Sequence, residues 1–261
     1  MQTFGGARTI GAAFLTAFLA FGCAGERRGG CQKKTLTRLE KALVERGINQ
    51  SFVRKVLTDP RLECYDIDYA PKKQSEFSMT REEYARHFLT KDRIRRARAN
   101  LKRYARWFEA AEKRYGVEKE VIAAIIEIES KSGKNIGKYN VPSAFASIFQ
   151  HRADRRAWAA NELAIHLTLA QENRTDPFVK SSRSGALGIP QFLPSTIKAY
   201  GTDADGGGFN PNSMPDAIFS VANFLYQHGW KRDDWRAVRK FNHSDNYVFA
   251  VMKLAEAIRK R

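Results

Sequence analysis

One stretch of the chain places an acid where proton transfer can use it. Val121, Ile122, Ile125, Ile126 and Ile128 lead into Glu129 with helical spacing, and Ile122, Ile125, Ile126 and Glu129 fall on adjoining rows of one face. Glu129 therefore continues an apolar stripe in the last turn of a helix that Gly133 closes. An apolar setting and the negative end of the helix dipole both disfavour a carboxylate, so both raise the pKa. A carboxyl that stays protonated near neutral pH is what a general acid needs. The competing reading of the same spacing is a rim residue whose carboxylate reaches water. Glu127 is rotated away beside Glu120, Ala123 and Ala124 and is expected to face solvent.

The elements that must hold this acid read as helix after helix, without long strand-like alternation. Leu36, Leu39, Leu43 and Val44 share one helical face ahead of Gly47, and Phe52, Val53, Val56 and Leu57 another ahead of Pro60. Residues 61–79 read as an irregular arm. Thr80-Arg-Glu-Glu83 is a capping box. A single long amphipathic helix is expected from Asp92 to Arg114, with Ile94, Ala97, Leu101, Tyr104, Ala105 and Phe108 as its stripe. Helices over 118–131, 155–172, Pro194–Tyr200, 213–228, 233–241 and 244–260 complete the pattern, separated by a polar loop at 173–193 and an Asp/Gly-rich loop at 202–212. The fold class is mainly α.

The chain of 261 residues carries 45 Lys+Arg against 28 Asp+Glu, a formal charge of +17 that implies an acidic partner without naming it. No ordered nucleic-acid motif accompanies the charge, so nucleic acid is not the expected partner. Near the N-terminus, Arg8 precedes an apolar run from Ile10 to Phe21, shorter than the roughly 20 residues of a bilayer span and shaped like a secretory signal. The run ends in Leu19-Ala20-Phe21-Gly22-Cys23, which resembles a bacterial lipobox with its Leu one place further upstream. The expected organisation is a lipoprotein-type signal peptide over 1–22 and a tether over 23–34. A catalytic domain with a helical N-terminal extension then occupies 35–261. Cys23 is the expected lipidation site, and an oxidising compartment then allows Cys31 and Cys64 to pair, which the sequence leaves open. No Cys/His cluster suggests zinc.

Ordered motifs follow the helix that ends at Glu129-Ser130. They are Ser184-Gly-Ala-Leu-Gly-Ile-Pro-Gln-Phe-Leu-Pro-Ser-Thr196, Asp203-Ala-Asp-Gly206, Ser220-Val-Ala-Asn-Phe-Leu-Tyr-Gln-His-Gly-Trp230 and Phe241-Asn-His-Ser-Asp-Asn-Tyr247. With Gln74–Phe77, Tyr84 and Tyr115-Gly116-Val117, this set resembles the membrane-bound lytic murein transglycosylase B family, glycoside hydrolase family 103, over roughly residues 36–259. The resemblance implies a lysozyme-like helical catalytic domain that cleaves the β-1,4 bond between N-acetylmuramic acid and N-acetylglucosamine. One glutamate serves where many glycosidases use two carboxylates. Glu129 matches that position. It would protonate the glycosidic oxygen, then take the proton from the muramic acid C6 hydroxyl as that oxygen closes on C1 to a 1,6-anhydro sugar. Peptidoglycan glycan strands are then the expected partner; with the N-terminal signal, the expected setting is a periplasmic monomer anchored by lipid to the outer membrane, with no cofactor.

The same resemblance carries substrate contacts onto Arg155, Arg156, Ser182, Gln191, Phe224, Phe241, Asn242 and Tyr247. An Arg pair can hold muropeptide carboxylates, and the Gln191 amide suits an acetamido group. Gly185 and Gly188 would let backbone approach a sugar. Lys131 and Ser132 stand where the family often has Trp, and Phe224 and Phe241 where it has tyrosines. Asp203 and Asp205 begin a calcium-like loop, but Gly207 takes the next ligand position, so weak calcium binding or none is expected. A hydrolytic muramidase, for which Asp176, Asp203 or Asp216 could supply a second carboxylate, and a non-catalytic murein-binding lipoprotein are the alternative functions.

Overall fold

The structure, a computed structural model, describes residues 28–65, 79–231 and 235–260. The signal segment, Cys23 and the Gln74–Phe77 part of the arm lie outside the described residues. The N-terminal helices form where the apolar spacing places them. α1 (Lys33–Val44) buries Leu39 and Leu43, and α2 (Gln50–Leu57) buries Val53, Val56 and Leu57 behind an Asn49 cap. β1 (Arg28–Gly29) pairs antiparallel with β2 (Cys64–Tyr65), and a Cys31–Cys64 disulfide ties this extension together. α1 packs on the later α7 (Val141–His151) and α8 (Arg156–Glu172), so the extension is docked to the domain.

The capping box at Thr80–Glu83 forms in both directions and opens α3 (Arg81–Arg86). The expected single helix over 92–114 is two: α4 (Lys91–Arg103) and α5 (Ala105–Tyr115), broken at Tyr104, whose φ of −111° and ψ of 28° leave helical values. The break lets the two halves serve different neighbours. α4 packs on α6 (Lys119–Ser130) and α5 packs on α10 (Met214–Gln227).

α6 is the centre of the molecule. Val121 through Ile128 are all buried, because α4, α5, α10 and α12 (Asp245–Arg259) surround it. Glu127 is therefore not solvent-facing as the spacing suggested: it is 0% exposed, since α4 covers the Ala123–Ala124–Glu127 side. Burying Ile122, Ile125, Ile126 and Ile128 contributes about 1.5–3 kcal/mol each.

α7, in the unassigned stretch 134–154, is not among the expected helices, although Asn140 capping Ser143 N with Pro142 in the first turn is a start signal. A 3-10 turn (Ala153–Arg155) leads into α8. The 173–193 loop contains β4 (Lys180–Ser181), which pairs antiparallel with β3 (Tyr139–Asn140). α9 (Pro194–Tyr200) begins where Glu162 of α8 accepts both Ser195 N and Ser195 Oγ. α11 (Trp235–Phe241) and α12 close the chain. No helix among the described residues is long and apolar enough to cross a membrane.

Candidate active site

Glu129 stands one residue before the end of α6 and keeps partial solvent contact, unlike the rest of the helix core. Across from it, α12 presents Tyr247, whose hydroxyl donates to Glu129 Oε1 at 2.6 Å. Ser244 caps α12 by accepting Tyr247 N, and Asn242 Oδ1 accepts Ser244 N, so the turn at 242–244 sets where Tyr247 points. Desolvation raises the Glu129 pKa to about 7, against the opposing pull of the Tyr247 hydroxyl. Neither cause is a neighbouring carboxylate. Burial and the nearby Glu129 charge push Tyr247 well above its ordinary value, so it remains a hydrogen-bond donor at physiological pH. An acid that is half ionised near pH 7 can give a proton in one step and accept one in the next.

Among the described residues, the carboxylates that could serve as a second group are engaged elsewhere. Asp176 pairs with Arg61 at 2.6 Å, Glu162 is bonded to Ser195, and Glu127 binds two arginines. Asp203, Asp205 and Asp216 converge with ligand atoms within 4.8 Å of one another. Asp216, which the sequence offers as a second carboxylate but not as part of the calcium-like loop, is the third member of that cluster. Both oxygens of Asp203 accept N–H groups, from Gly206 and Gly208, and both of Asp216 do so from Ala204 and Asn210. Asp205 Oδ1 accepts from Gly207. Calcium takes six to eight oxygens. These three carboxylates, which also accept backbone amides, would supply part of such an oxygen set, and the proton transfers at Glu129 do not depend on it.

The expected contact residues fall into two groups. Tyr247 adjoins the acid and carries an aromatic row behind it: Phe241 stacks on Tyr247 at 6.4 Å with an interplanar angle of 6°, and Phe224 meets Phe241 at 5.1 Å. Phe192 and His228 complete this aromatic wall and were not singled out from sequence, although both lie inside its motifs. Gln191 follows the Gly188 turn at φ 52°, and its Nε2 donates to Gly188 O at 2.7 Å. The Ser182 hydroxyl accepts from Ser184 N and Ala186 N. Both side chains therefore fold the 182–192 loop. That loop reaches the acid-bearing helix through Ile189, which lies beside Gly133.

Arg155 lies over Trp158, whose ring meets Phe145, and Phe145 packs at Gly185. Arg156 donates its Nε to Phe149 O. Gly185 and Gly188 serve the protein's own packing, not open backbone. A Cβ on Gly185 would come within 2.3 Å of Phe145, and one on Gly188 within 2.2 Å of Pro211 O.

Comparison with known proteins returns a consistent picture. Residues 32–237 match the family described as transglycosylase SLT domain. The chain is 34% identical over 157 residues to membrane-bound lytic murein transglycosylase B of Escherichia coli (strain K12), an alignment spanning 59% of this chain and 44% of that one. Soluble lytic transglycosylase SltB1 from Pseudomonas aeruginosa has the same fold, with a TM-score of 0.74 at 24% identity over 86% of this chain and 98% of that one. SltB3 from the same organism, solved in complex with NAG-anhNAM-pentapeptide, gives 0.75 at 22% identity, covering 87% of this chain and 79% of that one.

Proposed function

Since the chain belongs to the transglycosylase SLT domain family, we propose that it is a lytic transglycosylase that cleaves the β-1,4 bond between N-acetylmuramic acid and N-acetylglucosamine in peptidoglycan. The observation that carries this reading is that, among the described residues, Glu129 has no second carboxylate beside it. Burial raises its pKa to about 7, the Tyr247 hydroxyl donates to it, and no carboxylate among the described residues contributes to that shift. A hydrolase of the two-carboxylate kind needs a second acid flanking the scissile bond.

With Oε1 taken by the tyrosine, the exchangeable proton resides on Oε2. Glu129 gives it to the glycosidic oxygen as the C1–O bond breaks. The resulting carboxylate, held by Tyr247, then removes the proton from the muramic acid C6 hydroxyl, whose oxygen closes on C1. No water is consumed, and the product carries a 1,6-anhydro ring. That SltB3 was solved with an anhydro-muramyl ligand is in keeping with this product class.

Phe224, Phe241 and Tyr247 form one wall of the proposed substrate groove, and Gln191 and Ser182 shape the loop opposite. Asn242 sets the turn behind Tyr247, and Arg155 and Arg156 offer positive charge to peptide carboxylates. The chain is proposed to act as a periplasmic monomer, held to the outer membrane by lipid on Cys23. The relative named membrane-bound supports that anchoring. Mass spectrometry of the soluble products from purified sacculi tests the reaction. Products with 1,6-anhydromuramic acid, absent with Glu129→Gln, are expected. Reducing-end products would instead mean hydrolysis, and no product from folded wild type would mean a binding protein.

A further inference from the structure

A second acid on α6 is buried and is not used by the proposed chemistry. Glu127 is 0% exposed, yet it is bound on every side. Arg96 grips it as a fork, Nη2 to Oε1 at 2.5 Å and Nε to Oε2 at 3.0 Å. Arg93 Nη1 reaches Oε1 at 3.4 Å and also donates to the main-chain carbonyl of Glu127 at 3.2 Å. The Ser132 hydroxyl donates to Oε2 at 2.7 Å. Both arginines come from α4, and their side chains are only 11% and 23% exposed.

What this cluster holds is the turn that carries the catalytic acid. The last carbonyls of a helix have no partners within it. Here the chain leaves α6 through three successive left-handed residues, Lys131 at φ 51°, Ser132 at 59° and Gly133 at 84°, and the first two have side chains. Left-handed backbone costs a residue with a Cβ about 1–2 kcal/mol, so such a turn persists only where its surroundings fix it. Ser132 is fixed through Glu127, and Arg93 adds a second donor to the Glu127 carbonyl, which also accepts Lys131 N at 3.0 Å. Glu129 lies between these two anchor points.

The charge balance matters as much as the geometry. Two guanidiniums against one carboxylate leave the cluster at +1. Loss of the carboxylate makes it +2, and loss of one arginine makes it neutral. The other ionisable groups around α6 are placed differently. From α12, Tyr247 faces Glu129, with Tyr84 of α3 behind it. Arg259 pairs with Glu120 at the opposite end of α6. Asp92 of α4 pairs with Arg95, and Lys131 at the helix end is exposed.

We propose that Glu127, with Arg93 and Arg96, is a positioning clamp for Glu129: it fixes the last turn of α6 and cancels one of the two guanidinium charges buried against that helix. The proposal rests on the reading of Glu129 as the acid/base, but its test does not require turnover. The full chain is labelled with 13C at glutamate Cδ, and the Glu129 resonance is identified by its absence in Glu129→Gln. Its titration is then followed in wild type, Glu127→Gln and Arg93→Met.

Glu127→Gln should lower the Glu129 midpoint by about half a pH unit or more, because uncompensated positive charge favours the carboxylate. Arg93→Met, which keeps the Arg96 fork, should raise it. On sacculi, folded Glu127→Gln should lose about tenfold or more in kcat with KM within twofold, as expected of a group that acts only through the acid. Midpoints unmoved in both variants, or moved in the same direction, overturn the clamp. Should Glu127→Gln not fold, the sign of the Arg93→Met shift decides alone. If wild type releases no product from sacculi, the functional reading fails, while the titrations still judge the clamp.

Discussion

Replacing Glu129 with glutamine should end turnover and at the same time stabilise the fold at alkaline pH. Burial raises the Glu129 pKa from 4.5 to about 7. A carboxyl with a raised folded pKa binds its proton more tightly in the native state. Its contribution to stability is fully present below pH 4.5 and is lost as the pH climbs through 7. At about 1.36 kcal/mol per pKa unit, the wild type at pH 8 carries a penalty of about 3 kcal/mol that is nearly absent at pH 4. Glutamine never ionises and escapes it, and its amide oxygen still accepts from Tyr247. The partial solvent contact of Glu129 relieves some of the penalty, so the measured gain at pH 8 should be about 1–3 kcal/mol, or roughly 2–10 °C in Tm for a chain of this size. Urea unfolding of both proteins at pH 4, 6 and 8 reads it directly. A gap between variant and wild type that is constant with pH, or that favours wild type at pH 8, would refute the assignment of Glu129 as a desolvated acid.

Tyr247→Phe removes the hydroxyl that favours the Glu129 carboxylate, so the alkaline limb of the kcat profile should move up by several tenths of a pH unit or more, with a lower maximum; an unmoved limb would separate Tyr247 from the acid. Reduction of Cys31–Cys64, which closes a loop with a sequence separation of 33, should cost about 3–4 kcal/mol by loop entropy and lower Tm in a scan with and without reductant. Gly185→Ala meets both a φ of 81° and the Phe145 ring, and should destabilise by about 2 kcal/mol or more in chemical denaturation.

The parts of the fold legible in the sequence are those where local signals and burial agree. α1, α2, α3 and α9 sit where periodicity, capping and proline put them, because each buries one face and exposes the other. The misreadings occur where tertiary packing overrides that pattern. α6 looks amphipathic, but a helix covered on all sides has no solvent face, so Glu127 could not be placed without knowing that α4 brings Arg93 and Arg96 across a separation of more than thirty residues. The break at Tyr104 is invisible because its neighbours continue the stripe. Gly185 and Gly188 read as places where backbone approaches a sugar, whereas Phe145 and Pro211, distant in sequence, fill the space beside them. The place of Glu129 in the last turn of an apolar helix was legible from spacing alone. Its partner was named only as a groove residue, since nothing in Phe241–Tyr247 says that the hydroxyl ends 2.6 Å from the acid.

The two acids of α6 show how the same helix treats like residues in opposite ways. Glu127 is buried with two guanidiniums and a hydroxyl, and it serves as a fixed anion around which the turn is built. Glu129 receives one neutral donor, and desolvation dominates its titration. Had the arginines faced Glu129 instead, their charges would have held it as a carboxylate and left it no proton to give near neutral pH. The division of partners between the two positions, and not burial alone, is therefore what leaves an acid of pKa about 7 at the end of an apolar helix.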